Sequence, residues 1–196
     1  MNEILLGGSI GVIGSILGAI AGAIITYKLT NKSAKIKFFV ASNLVYFYYL
    51  KSQFCIYLPV TITNEGNKGT TISDIKVYFK SHAGQTWELK WYWISKEVHD
   101  EERWLDIERA KPLYIYGNSG ADYVFKFIEN DPRVALSDVI LLPGEYSILL
   151  KYRDESIDGY KEENFKIAVN SHLSELLNER RNDLEDNSVI GVYLES

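Results

Sequence analysis

The sequence predicts a mainly β protein in three parts: an N-terminal transmembrane α-helix, an antiparallel β-sandwich, and a short C-terminal helix with a tail. Three observations carry that expectation. An uncharged apolar run occupies Ile4 to Tyr27, the hydrophobic period changes from helical to alternating beyond Ala34, and it turns helical again from Ser171. The implied boundaries are 4–27 for the membrane helix, 28–35 for a basic juxtamembrane linker, 36–169 for the sandwich and 170–196 for the C-terminal helix and tail.

The apolar run is about 24 residues, or roughly 36 Å as a helix, against about 30 Å for a bilayer's hydrocarbon core. A cleavable signal peptide is the rival, because Ala21-Gly22-Ala23 has the small-x-small form of a cleavage site. The leading Met1-Asn2-Glu3 lacks a basic residue and the run is long for such a signal, which favours an anchor. Lys28, Lys32, Lys35 and Lys37 follow the run and Glu3 precedes it, so the positive-inside rule places the soluble domain in the cytoplasm of a single-pass membrane protein. An extracytoplasmic anchored domain is the alternative topology.

At 100° per residue, Gly7, Gly11, Gly14, Gly18 and Gly22 fall on one face, opposite Leu6, Ile13, Ile16, Ile20 and Ile24. A stripe of small residues lets helix backbones approach closely, and self-association is the reading it favours. Packing on another membrane subunit is the alternative, and glycine is also common in membrane helices for no such reason.

Strands are expected over Lys35–Leu50, Gln53–Asn64, Thr70–Lys80, Thr86–Ser95, Pro112–Tyr116, Asp122–Ile128, Val139–Leu142, Glu145–Tyr152 and Glu163–Val169, all rich in β-branched and aromatic residues. Asn64-Glu65-Gly66-Asn67, Gly117-Asn118-Ser119-Gly120, Pro143-Gly144 and Asp158-Gly159 are turns between them. Pro59 lacks an N–H and suggests an edge or a bulge in the second strand. Short antiparallel strands at this spacing make a sandwich or a barrel.

The run Leu58-Pro59-Val60-Thr61-Ile62-Thr63-Asn64-Glu65-Gly66-Asn67, followed by Ile72-Ser73-Asp74-Ile75-Lys76-Val77, resembles the B-to-C region of bacterial immunoglobulin-like or fibronectin-type sandwiches. Pro143-Gly144-Glu145-Tyr146-Ser147-Ile148-Leu149-Leu150-Lys151-Tyr152 is similar to their late strands. The resemblance implies an Ig-like sandwich over Ile36 to Val169 that serves as a binding or spacer module; the disulfide of antibody domains is absent, since Cys55 is the only cysteine.

From Ser171, which can cap, Leu173, Leu176, Leu177 and Leu184 form a narrow apolar stripe that docks on the sandwich or meets a partner. The tail Val189-Ile190-Gly191-Val192-Tyr193-Leu194 is apolar enough to add a strand to this or another sheet.

Net charge is −5, with six acids against Arg180 and Arg181 from Ser174 onward, and no basic footprint for nucleic acid. No P-loop, HExxH, GxSxG, paired CxxC or GxGxxG motif is present. Cys55, between Phe54 and Ile56, reads as a buried small hydrophobe. Glu97, His99, Asp100, Glu101 and Glu102, with Asp106 and Glu108 beyond Trp104, are dense enough in ligands for a divalent cation, but adjacent residues rarely converge on one ion, and a solvated loop or short helix is expected. Trp87, Leu89, Trp91 and Trp93 share one strand face at period two; the tryptophans fill the core, line a binding surface, or meet a membrane interface.

The expectation is therefore a non-enzymatic, membrane-tethered domain recognising a protein or small-molecule partner, on a helix that self-associates. Small prokaryotic membrane-perturbing effectors, including those of antiviral defence, look like this in outline. An accessory scaffold subunit of a membrane complex is the main alternative, and a hydrolase built on the His99 region the enzymatic one. No cofactor, metal or nucleic acid is expected.

Overall fold

Alternation at period two makes strands, and the register between those strands decides the architecture. A computed structural model describes residues 2–50, 53–98, 103–129, 139–156, 158–183, 185 and 188–195, without the side chains of residues 2–14, 29, 42, 50, 97, 98 and 103. The elements are α1 (Asn2–Thr30), β1 (Ile36–Val40), β2 (Leu44–Leu50), β3 (Gln53–Asn64), β4 (Thr70–Ser81), β5 (Thr86–Val98), β6 (Arg103–Arg109), β7 (Leu113–Ile115), β8 (Ser119–Glu129), β9 (Gly144–Asp154), β10 (Lys161–Val169), α2 (Ser171–Asn182) and β11 (Ile190–Glu195).

Eight strands close on themselves in the order β5-β8-β3-β2-β11-β10-β9-β4, with β4 pairing back to β5. All pairings are antiparallel; β6 extends β5, β7 lies on β4, and β1 lies on β3. This corrects the Ig-like sandwich. A sandwich is two sheets with separate edges, whereas here two pairings join what would be its edges. One is β4 with β5, through Lys76↔Lys90 to Lys80↔Thr86. The other is the tail strand β11, which pairs with β2 (Ile190↔Phe47) and with β10 (Ile167↔Leu194). Short strand segments cannot distinguish the two folds, because the closing contacts lie far apart in sequence.

The interior of an eight-stranded barrel is wide enough to be filled by side chains or to hold one small ligand. Phe47, Phe54, Phe79, Phe125 and Phe127 are wholly buried there with Leu58, Ile62, Ile148 and Leu150. Phe54 and Phe79 lie 5.5 Å apart between ring centres, and Phe79 stacks on Tyr146 at 5.1 Å. Such buried aromatics contribute on the order of 2–3 kcal/mol each.

The expected single strand Lys35–Leu50 is divided by a 3-10 turn, Ala41–Asn43, where Asn43 takes a positive φ of 49°. Both halves still pair with β3, β1 over Val60–Asn64 and β2 over Gln53–Tyr57. Pro59 falls in the gap between those two ladders and pairs only with Val124 on the other side. A proline thus sits in a central strand at a place where no ladder partner needs its N–H.

Val139–Leu142 is not a strand, although Val139 and Leu141 are buried as alternation would have them. Its carbonyls are taken by side chains: Tyr49 Oη donates to Val139 O at 3.0 Å, Ser174 Oγ to Leu141 O at 2.5 Å and Tyr146 Oη to Leu142 O at 2.8 Å. With α2, this segment plugs one end of the barrel. Asn170, rather than Ser171, caps α2 by accepting from Leu173 N at 2.8 Å. Leu177 is buried and Leu173 and Leu176 half-buried, so the helix docks on its own barrel; Leu184 lies outside the described residues.

α1 is helical from Asn2 to Thr30, yet among the described residues no helix is long and apolar enough to cross a membrane. The transmembrane span over 4–27, the single-pass topology, the cytoplasmic placement read from Lys28, Lys32, Lys35 and Lys37, and with them the membrane-tethered effector expected of such a chain, are corrected accordingly. Lys35 and Lys37 instead pair with Glu65, at 2.9 and 2.5 Å, which ties the linker to the β3–β4 turn. Of the glycine stripe, Gly18 and Gly22 have nothing within 4 Å of where a Cβ would stand; Gly7, Gly11 and Gly14 lie in the part of α1 whose side chains are not described.

Candidate functional site

The tryptophan strand β5 is where the sequence placed a binding surface, and its register explains what each ring does. Leu89 pairs with Glu129 and Trp91 with Phe127, but Trp93 pairs with Lys126, so Tyr92 is an extra residue. That bulge reverses the alternation. Trp87 and Trp91 face inward beside the wholly buried Leu89, against Phe79 at 5.9 Å and Phe125 at 5.0 Å. Trp93 comes out on the opposite face, under the Arg109 guanidinium at 5.5 Å. The three tryptophans therefore do not form one platform. Trp87 and Trp91 both pack on the core and remain partly open to solvent, and Trp91 is the one of the two that lines a cavity.

Its opening is a seam in the barrel wall. The β4–β5 ladder stops at Lys76↔Lys90. Beyond it, β5 takes β6 as its neighbour from Trp93, while β4 bulges at Ser73 and pairs with β7 over Thr70–Ile72. The two strands diverge and leave a cavity of about 260 Å³ lined by Asp74, Lys76, Lys90, Trp91 and Lys111 among others. The register also puts three lysines side by side across the wall, Lys90 opposite Lys76 on β4 and Lys76 opposite Lys151 on β9. Lys76 reaches Asp74 and Glu88 only at 3.9 Å each, whereas Lys151 holds Glu162 at 2.5 Å and Lys111 holds Glu108 at 2.5 Å. Lys90 has no ion pair with any described residue. Tyr160 Oη donates to Asp74 Oδ2 at 2.6 Å, and that carboxylate pushes the Tyr160 hydroxyl pKa up.

A second cluster lies on the outer wall beneath β6. Trp104 stacks on Tyr57 at 4.6 Å and leans on Tyr46 at 4.8 Å; Tyr48 stacks on Tyr57 at 5.0 Å, with Cys55 buried among them. Lys126, 7 % exposed, gives its amine to Asp106 at 2.6 Å and lies 5.5 and 5.6 Å from the Tyr48 and Tyr57 rings. Ser95 Oγ donates to the other Asp106 oxygen at 2.8 Å. Burial pushes the Tyr48 hydroxyl far above the usual tyrosine range, with Cys55 and Tyr57 adding to it. The cluster is fully packed. It fastens β6 to the barrel, with Cys55 and Lys126 buried beneath it.

Of the candidate metal run, Trp104, Asp106 and Glu108 belong to strand β6, which the sequence reading took for a loop or short helix; His99, Asp100, Glu101 and Glu102 lie outside the described residues. Among the described residues no group of three metal-ligating side chains comes together. Cys55 is buried, as expected of a small hydrophobe. Lys76, Lys90, Lys126 and Lys151 carried no signal in the sequence, because their significance comes from cross-strand register and burial.

No protein-family model matches the chain, and no curated protein does. Among solved structures it is similar to a sporulation control protein of Bacillus subtilis, at 14 % identity and a TM-score of 0.37, over 71 % of this chain and 50 % of that one. A FixG-related protein of Vibrio parahaemolyticus matches at 9 % identity and a TM-score of 0.37, over 68 % and 94 % of the two chains. A family 123 glycoside hydrolase of Clostridium perfringens matches at 10 % identity and a TM-score of 0.38, over 69 % and 27 %. The chain spans half the length of the sporulation protein it matches. TM-scores this low carry no argument about fold or activity.

Proposed function

We propose that the chain is a non-catalytic binding module: a barrel filled by its own side chains that holds a ligand on its wall. The observation that carries this reading is the β4–β5 seam, where the wall parts beside a half-open tryptophan and unbalanced lysines. The interior supports it too, since it is occupied by buried phenylalanine, leucine and isoleucine side chains. Under β6, Asp106, Lys126 and Ser95 are engaged with one another, while the Tyr48 hydroxyl beside them is buried without a hydrogen-bond partner among the described residues.

The test is a thermal-shift screen of the purified chain against a panel of small organic anions, cations and neutral compounds. A ligand that binds only the folded state raises Tm in proportion to its concentration over Kd. At least one class is expected to do so, and mass spectrometry is expected to recover it chemically unchanged. Conversion of the compound to a product, or no stabilisation by any class, overturns the reading.

A further inference from the structure

We propose that the β4–β5 seam binds a small planar organic anion, with Lys90 and Lys76 holding the charged group and Trp91 flanking the flat body. The proposal rests on the binding-module reading and names the ligand class that the same seam takes.

The case begins with a cost. Like charges directly opposite one another on neighbouring strands destabilise a sheet, and here the arrangement occurs twice in a row, Lys90–Lys76–Lys151. Lys151 is offset by Glu162. Lys76 shares two carboxylates at the outer limit of pairing, and one of them, Asp74, also accepts from Tyr160. Lys90 is left without an ion pair among the described residues. An anion at the mouth of the seam would meet Lys90 and Lys76 together and relieve their repulsion, so its binding draws on strain already present in the free protein. Function bought at the expense of stability is a common signature of a site.

The shape of the ligand follows from the gap. Two diverging strands make a slot rather than a bowl, and Trp91 lines it with its inner side fixed against Phe125. A volume of about 260 Å³ lies just below the usual range of ligand pockets and suits a single ring with one charged substituent. Lys111 stands at the rim, held by Glu108, and the strand edges of Ser73 to Ile75 and of Trp91 border the slot outside the β4–β5 ladder.

The probe is phenyl phosphate, with inorganic phosphate supplying charge without a ring and benzyl alcohol a ring without charge, titrated calorimetrically into the full chain. Phenyl phosphate is expected to bind, inorganic phosphate more weakly and benzyl alcohol not at all. Lys90→Glu is expected to weaken phenyl phosphate at least tenfold. The same substitution places opposite charges across from each other, so without ligand it should raise Tm by about 1–3 °C. Lys166→Glu on β10, an equal change of net charge on another part of the wall, should preserve binding. Absence of phenyl phosphate binding to the native chain overturns the proposal, as do equal affinities for the two variants or a lowered Tm for ligand-free Lys90→Glu. A panel ligand that still stabilises Lys90→Glu would leave the binding-module reading standing and remove this seam as its place.

Discussion

Asp106 is the residue on which the outer-wall cluster turns. Its two oxygens take the Lys126 amine and the Ser95 hydroxyl, and Trp104, two residues earlier on the same strand, covers Tyr57. Removing one member of a buried pair strands the other. Asp106→Ala should therefore cost about 2 kcal/mol, less than for a fully dry pair because the carboxylate is partly exposed. It should also speed maleimide labelling of Cys55, which the cluster buries. Chemical denaturation and thiol kinetics check both, and unchanged labelling would show that β6 does not depend on this contact. Asp154 makes the matching argument for pH. Burial alone would raise its pKa, but hydrogen bonds from Ser156 and the Lys161 amine outweigh burial and hold it below its ordinary 3.8. A carboxylate with a lowered folded pKa adds stability that is present above the unfolded value and is lost as pH falls through the folded one. Stability should thus drop below about pH 3.8, and Asp154→Asn should flatten that limb in acid denaturation curves.

Among the elements, β11 has an importance out of proportion to its length. It is the stave between β2 and β10, and Val192 is buried with Ile190 and Leu194 packed against the core. Burial of those three contributes about 3–5 kcal/mol. Its loss would also leave two unpaired strand edges, which invite association with other chains. A chain ending at Ser188 is expected to lose cooperative unfolding and to aggregate, as circular dichroism and light scattering would register. If it melts like the full chain, the barrel closes without its last strand. β6 is an element that reads differently in sequence and in space. Arg103, Asp106, Glu108 and Arg109 suggest a solvated loop, but a bulge at Ile107 and pairing to β5 make it an edge strand, with charge and bulge discouraging further pairing.

At the scale of the whole molecule, closure makes the buried hydroxyls report on the fold together. Burial raises the pKa of Tyr48, Tyr49, Tyr57 and Tyr152 above the ordinary 10.0, and they are spread over three strands, β2, β3 and β9. A raised folded pKa means full stability below the unfolded value and loss as pH rises beyond it. Alkaline unfolding should set in above about pH 10, and these four should yield tyrosinate absorbance only as near-UV dichroism disappears. Ionisation of the four with the dichroism intact would mean that the barrel admits water at several walls.

What the sequence determined by itself was local. Gln53–Asn64 reads as a strand from its β-branched and aromatic alternation and is one over the same residues, and the helix Ser171–Asn182 follows from its leucine stripe, though Asn170 and not Ser171 caps it. Cys55 between Phe54 and Ile56 was legible as a small hydrophobe, but alternation turns it away from the core that takes those two, and its burial comes from the tyrosines and Trp104 packed over the outer wall. Only the tertiary structure decided whether the sheets close, because that depends on β4 meeting β5 and on β11 reaching β2, contacts between segments with no sequence signal for each other. The bulge at Tyr92 shows the limit at one residue. It separates Trp91 from Trp93 by inserting one position against β8, and a one-residue change of register sends every later side chain to the other face. The lysine row at the seam was illegible for the same cause, since Lys90, Lys76 and Lys151 are ordinary surface lysines until register sets them side by side.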